Sequence, residues 1–233
     1  MNLPIVVLAG GLGTRLHPVT KYIPKSLVPI HGYPFIYWQL RLLKSQDCTE
    51  VMLCVGHLGD AIRDYVGNGH KFGLKISYCL DGSENIGTGG ALAKAFKILQ
   101  SNAAVIYGDS YLLADFKNLE EEFNDSKKLG LMSVYQNRNK YIQSNVRIAD
   151  SEVVEYTKQV STENLEFIDY GLNFYNRQVF EIFNYGANWD LTALISELIQ
   201  IKSLRAYEVQ EEFYEVGSRQ GIKNFENYLK GKI

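Results

Sequence analysis

Three glycines in four positions, Gly10-Gly11-Leu12-Gly13, directly follow an apolar run at 3–8, and Arg15 and Lys25 come after them. A backbone without side chains lets N–H groups approach a polyphosphate. Arg15 can fork onto phosphate oxygens, and Lys25 adds a compact positive charge ten residues on. A strand feeding a glycine loop, an arginine and a later lysine reads as a nucleoside triphosphate site. Two commoner phosphate motifs fail. In G-x-G-x-x-G, Leu16 stands where the third glycine belongs, and in G-x-x-x-x-G-K-[ST], Lys25-Ser26 follows Pro24 instead of a glycine.

The elements that must position these residues alternate along the first half. Apolar runs predict strands at 3–8, 50–55, 74–78 and 103–107. Helical spacing predicts helices at 34–44, 58–66 and 90–99, the first with Phe35, Trp38, Leu42 and Leu43 inward. Strands alternating with helices imply βαβ units, a parallel sheet and right-handed crossovers. Ligands in such sheets bind beyond the carboxyl ends of the strands. The glycine loop lies there after the first strand, and Gly108-Asp109 after the fourth. The second half holds short, aromatic-rich strands at 130–135, 145–148, 153–156 and 167–175 with few helices between them, which suggests mixed or antiparallel pairing and a hairpin flap. Asp190 caps a helix at 191–201; a strand at 212–216 and an amphipathic helix at 220–229 follow. The expected fold is α/β: a Rossmann-like mixed, mainly parallel sheet flanked by helices, with a small β-rich lid insertion. It forms one domain over 1–233, with a nucleotide-binding half (1–115) and a sugar-phosphate-binding half (116–233).

Composition bounds the rest. The chain has 233 residues, is 46% hydrophobic and 21% charged, as globular proteins are, and carries a formal charge of −2. That charge gives no reason to expect nucleic-acid or anionic-membrane binding. Cys48, Cys54 and Cys79 form no C-x-x-C pair, so neither a disulfide framework nor a zinc site is indicated, and a reducing cytoplasm fits. No signal peptide or transmembrane run is expected.

Leu8-Ala9-Gly10-Gly11-Leu12-Gly13-Thr14-Arg15-Leu16, with Pro18, Thr20 and Pro24-Lys25, resembles the signature of the sugar-1-phosphate nucleotidyltransferases. The resemblance continues through Gly87-Thr88-Gly89-Gly90-Ala91, Gly108-Asp109, Asp169-Tyr170-Gly171 and Tyr214-Glu215-Val216-Gly217-Ser218, nearly the whole chain. Within the family, Gly108-Asp109-Ser110-Tyr111-Leu112 looks most like bacterial heptose and mannose 1-phosphate guanylyltransferases, with the compact N-acetylmuramate 1-phosphate uridylyltransferases close behind. The resemblance implies transfer of a nucleotidyl group from a triphosphate to a sugar 1-phosphate, for surface polysaccharide synthesis. It implies catalysis by positioning and electrostatic stabilisation with no covalent intermediate.

By the same resemblance, Arg15 clamps the β- and γ-phosphates, Lys25 sits near the α-phosphate, and Asp109 binds Mg²⁺. Leu8, Ala9, Gly10, Gly11, Gly13 and Thr14 line the nucleotide. Gly87 and Thr88 run beside the base and sugar, and Asp81 or Glu84 could accept from guanine N–H groups, which favours GTP. Lys158 resembles the lysine that grips the sugar phosphate; Asn145, Asp169, Tyr170 and Gly171 supply the other sugar contacts. Two departures stand out. Glu215 occupies the place of a second metal-binding aspartate, and Thr157 precedes Lys158 where the family carries an acidic residue. The four histidines have no metal-type spacing and no assigned role. Phosphocholine is an alternative acceptor, since 16 tyrosines and two tryptophans could build a cage for a quaternary ammonium. A non-catalytic nucleotide sensor is a remote alternative. The closing helix would serve either a homo-oligomer interface or the core.

Overall fold

A computed structural model describes residues 1–11, 13, 16, 18–82, 86–137, 143–159, 165–183, 185–186 and 188–232. Thr14, Arg15, His17 and Glu84 lie outside the described residues. The chain opens with β1 (Ile5–Leu8), β2 (Pro29–Ile30), β3 (Tyr33–Pro34), α1 (Phe35–Ser45), β4 (Glu50–Val55), α2 (Gly59–Val66), β5 (Lys75–Leu80) and α3 (Gly87–Leu99). It continues with β6 (Ala103–Tyr107), β7 (Ser110–Leu112), α4 (Phe116–Ser126), β8 (Gly130–Gln136), β9 (Val146–Ala149), β10 (Glu152–Tyr156) and β11 (Phe167–Tyr175). It closes with α5 (Val179–Ile182), α6 (Leu191–Gln200), β12 (Leu204–Val209), β13 (Phe213–Glu215) and α7 (Arg219–Lys230). Among the described residues no helix is long and apolar enough to cross a membrane.

The chain divides into two compact units, each discontinuous in sequence: 1–85, 106–113 and 212–233 make the first, and 86–105 and 114–211 the second. In the first unit β1 and β5 flank β4, all parallel, with Val6 opposite Met52 and Cys54 opposite Cys79. Ile5–Val7 of β1 and Val51–Val55 of β4 are buried, as the apolar runs require of a parallel sheet covered on both faces. β13 pairs antiparallel with β7. The closing helix α7 finishes this unit's core: Phe225 and Leu229 pack with Leu16, Val28, Ile30, Phe35 and Val216. The three cysteines are buried and none is in a disulfide.

The second unit is the mixed one. β11 runs antiparallel to β8, β12 runs parallel to β8, and β10 pairs antiparallel with β12 and β9. β9 also meets β11 where Val146 lies opposite Phe167, so the β9–β10 hairpin is paired at both margins. Such pairing removes exposed strand edges. Three elements here, α4, α5 and β12, have no counterpart in the sequence reading. Asp115 caps α4, accepting from the Lys117 and Asn118 N–H groups, and Phe116, Leu119 and Phe123 face inward. In β12, Leu204, Ala206 and Val209 are buried. In α1 the inward set also differs: Gln39 is fully buried, whereas Trp38 is half-buried and donates its indole N–H to the Ile30 carbonyl at 3.0 Å.

Candidate functional site

In the first unit, three strand ends converge on the glycine loop. The Ala9 N–H donates to the Cys54 carbonyl at 2.9 Å, and the Gly108 N–H donates to the Leu8 carbonyl at 2.9 Å. The loop beyond turns back through Gly13, whose carbonyl accepts from the Leu16 N–H at 3.0 Å and from the Thr20 hydroxyl at 2.7 Å. Asp81, at the end of β5, lies under this loop. A Cβ on Gly56 would come within 2.8 Å of its Oδ2, and one on Gly10 would overlap that oxygen. A side chain at position 10 would have to displace Asp81, which favours glycine there. Gly11 has open space beside it.

Lys25 sits on a single 3-10 turn opened by Pro24. Its ammonium forms a short ion pair with Oδ2 of Asp109, both side chains being mostly buried at 15% and 23% exposure. Gln39 holds the turn that carries Asp109. Its amide donates to the carbonyls of Tyr107 at 2.9 Å and of Ser110 at 2.8 Å. The Val216 N–H donates to the Asp109 carbonyl at 2.9 Å, and Glu215 lies opposite Ser110 in the β13–β7 pair. Asp109 and Glu215, 106 positions apart in the chain, thus stand at neighbouring positions of one small ladder. The Glu215 carboxylate turns toward the start of α7. It accepts a short hydrogen bond from the Gly217 N–H and one from the Ser218 hydroxyl at 2.5 Å, while Ser218 caps the helix through the Gly221 N–H at 2.9 Å. Among the described residues no group of three or more His, Cys, Asp or Glu side chains forms a metal cage.

The second unit gathers the sugar-side candidates. Asn145 Oδ1 accepts from the Asp169 N–H at 3.1 Å. Asp169 Oδ1 accepts from the Gly171 N–H at 2.9 Å and from the Asn173 amide at 3.1 Å. Gly171 has φ +99° at an irregularity in the β11–β8 register, a backbone conformation that glycine supplies at least cost. Ser133 and Asn173, both buried, close the irregularity. The Ser133 hydroxyl bonds the Leu172 carbonyl at 2.6 Å, and Asn173 Oδ1 accepts from the Ser133 N–H at 3.2 Å. Tyr170 is buried, its hydroxyl accepting from the Ala114 N–H at 3.1 Å.

Lys158 donates to both oxygens of Asp190, at 2.7 and 2.9 Å. Asp190 is the N-cap of α6, accepting from the Thr192 N–H at 2.9 Å and from the Thr192 hydroxyl. Burial works against its ionisation, but the hydrogen bonds from Lys158 and Thr192 outweigh it and bring its pKa down to about 2. Thr88 belongs to the same cluster: its hydroxyl donates to Asp190 Oδ2 at 3.2 Å and accepts from the Leu191 N–H at 2.9 Å. It therefore supports the start of α6, although it lies in the first turn of α3. Trp189 accounts for the glycines beside it. A Cβ on Gly89 would overlap the Trp189 ring, and the Trp189 carbonyl accepts from the Gly89 N–H at 3.1 Å. Burial, then the negative charges of Asp169 and Asp190, push the Tyr156 hydroxyl well above its ordinary pKa, partly offset by a hydrogen bond to Thr192.

The structure thus brings Lys25, Asp109 and Glu215 together with Leu8, Ala9, Gly10, Gly13 and Asp81 in the first unit. It brings Asn145, Lys158, Asp169 and Gly171 together with Gly87 and Thr88 in the second. Gln39, Asn173, Trp189 and the pairing role of Asp190 were not read from sequence. A glutamine at an inward position of a predicted helix, and an asparagine inside an apolar strand, are the signals that mark the first two.

The sequence profile of the family described as Nucleotidyl transferase matches residues 5–218. The chain is similar to a D-glycero-α-D-manno-heptose 1-phosphate guanylyltransferase of Campylobacter jejuni, with 28% identity over 220 residues, 94% of this chain and 97% of that one. It is 34% identical over 112 residues, 48% of each chain, to an N-acetylmuramate α-1-phosphate uridylyltransferase of Neisseria meningitidis. HddC from Yersinia pseudotuberculosis, solved in complex with GMP-PN, shares its fold with a TM-score of 0.82 at 24% identity, covering 97% of this chain and 99% of that one. The mixed α/β fold with helices flanking the sheet is that of these neighbours. With a profile match that runs from β1 to the cap of α7, the chain belongs to the nucleotidyl transferase family.

Proposed function

We propose that the protein transfers a nucleotidyl group from GTP to a heptose 1-phosphate and releases pyrophosphate. The observation that carries this reading is the likeness to the Campylobacter guanylyltransferase, which runs through both units and almost the full length of each chain. An oxygen of the sugar phosphate attacks the α-phosphorus. The bond from that phosphorus to the bridging oxygen breaks, and pyrophosphate leaves with the electron pair. The attacking phosphate is already ionised, so no general base is needed; positioning and charge neutralisation do the rest.

In this reading Leu8, Ala9, Gly10, Gly11, Gly13 and Thr14 hold the triphosphate, and Arg15 neutralises its far end. Lys25, braced by Asp109, offers its ammonium at the α-phosphate. Asp81, Gly87 and Thr88 are assigned to the nucleotide, and Asn145, Lys158, Asp169 and Gly171 to the sugar phosphate. Asp109, just before β7, and Glu215, on its partner strand β13, are hard oxygen donors, and Mg²⁺ commonly takes one or two carboxylates with phosphate and water oxygens. The donor set fits that ion without a larger acidic cage. Asp109 would be the ligand, with Glu215 joining directly or through water from its place at the start of α7. When bound, Mg²⁺ supplies neutralisation of phosphate-oxygen charge.

The likeness to the uridylyltransferase of Neisseria favours a second reading, UTP with N-acetylmuramate 1-phosphate. Pyrophosphate release with Mg²⁺, across the nucleoside triphosphates crossed with sugar 1-phosphates and phosphocholine, tests both. Release mainly from GTP with heptose 1-phosphate is expected. Release mainly from UTP with N-acetylmuramate 1-phosphate would replace the first reading by the second. Nucleotide binding with no release from any pair would overturn transfer itself.

A further inference from the structure

We infer that Asp190 is a positioning residue for the sugar phosphate: it fixes the ammonium of Lys158 and ties it to the first turns of α3 and α6. The inference rests on reading Lys158 as the group that grips the phosphate. A lysine is a point charge on a long, flexible stem, and ordering that stem on binding costs rotamer entropy. A fixed partner that orders it beforehand lowers that cost.

Asp190 has the properties of a fixed partner. Its two oxygens receive the Thr192 N–H, the Thr192 hydroxyl and the Thr88 hydroxyl, in addition to the two contacts from Lys158. The carboxylate is therefore held by α3 and α6 whether or not the lysine is present, and the lysine is the group being held. An ammonium has three N–H donors. Two are directed at Asp190, and the third remains for a phosphate oxygen. The side chains of Lys158 and Asp190 are about half exposed, at 49% and 52%, so the pair is reachable by substrate and adds little to stability. Thr157 and Gln159, the residues on either side of Lys158, carry no charge. Asp190 supplies the counter-charge from 32 positions away.

Asp190→Asn isolates the charge, because asparagine caps a helix about as well as aspartate. The KM for sugar 1-phosphate is expected to rise about tenfold, with kcat within about threefold and the KM for the triphosphate unchanged, the pattern of lost substrate binding. In a Lys158→Ala background the same substitution should add nothing, and Asp190→Ser should reproduce Asp190→Asn. A second readout needs no substrate: acetylation of Lys158 by acetic anhydride, mapped by mass spectrometry, should be several-fold faster in Asp190→Asn. Unchanged labelling overturns the inference whatever the activity. So does an unchanged KM for sugar phosphate in an active enzyme, or a rise that persists without Lys158. Faster labelling in a protein whose wild type turns over no pair would strike the transfer reading while leaving the hold of Asp190 on Lys158 in place.

Discussion

The two units handle charge in opposite ways. In the first, Lys25 on its 3-10 turn and Asp109 after β6 meet as a mostly buried pair, Asp109 lying on a turn clamped by the fully buried Gln39. In the second, Lys158 and Asp190 meet half exposed, one at the end of a hairpin strand and the other on a helix cap. A buried pair depends on both partners, because removing one leaves an uncompensated charge in a poor dielectric. An exposed pair is screened and adds little to stability. The cluster of Lys25 and Asp109 is therefore a fixed frame, and that of Lys158 and Asp190 is one whose partners can change without unfolding the unit.

The sharpest way to break this contrast is Asp109→Asn. It should lower kcat by about 100- to 1,000-fold, the scale seen when one electrostatic stabiliser of a transition state is lost. Steady-state turnover across a Mg²⁺ titration checks it; full activity at any Mg²⁺ concentration removes Asp109 from the chemistry. Next is Arg15→Ala, which should cost on the order of 2–4 kcal/mol of transition-state stabilisation, read as kcat/KM for the triphosphate. An unchanged kcat/KM would take Arg15 out of the site.

Gly89→Ala tests the second unit's frame in place of its charges. The added methyl meets the Trp189 ring, and overpacking of this kind costs roughly 1–3 kcal/mol, measurable by denaturant unfolding. Wild-type stability would show that Trp189 is free to move aside. The smallest expected effect is the pH dependence of the exposed pair. Asp190 is held below its ordinary pKa, down to about 2, so its contribution is present above the unfolded value of about 4 and fades as pH falls from there toward 2. The difference in melting temperature between wild type and Asp190→Asn should accordingly be flat from about pH 5 to 8 and close below about pH 4. A difference that opened or closed near neutrality would mean that another group governs the pair.

Much of the frame was legible in the sequence. β4, β6 and β11 fall at their expected limits; in the first two a near-continuous apolar run leaves little choice of where a buried strand begins and ends, and in β11 the aromatic and branched residues set the span despite Asp169 and Asn173. The cap at Asp190 and the amphipathic pattern of α7 followed from local spacing, whereas the packing of α7 against Phe35 came only with the structure. α4 was hidden by its own surface: the run Glu120-Glu121-Glu122 breaks the look of an apolar face that Phe116, Leu119 and Phe123 nonetheless form. β12 was hidden by Arg205, Tyr207 and Glu208 between its buried residues, a half-buried strand without a continuous apolar run.

The sequence by itself determined the glycine loop after the first strand, Asp109 at the end of the fourth, and the family to which both belong. These rest on residues close together in the chain, or on strand ends that a parallel sheet must bring to one side. Only the tertiary structure decided that Gln39 clamps the turn of Asp109, that Asp81 fills the space Gly10 leaves, that Trp189 explains Gly89, and that Lys158 finds its counter-charge on a helix cap. Each of these contacts joins residues tens of positions apart. Local propensity and spacing do not choose such partners; packing does, by bringing together the few polar groups that burial would otherwise leave unpaired.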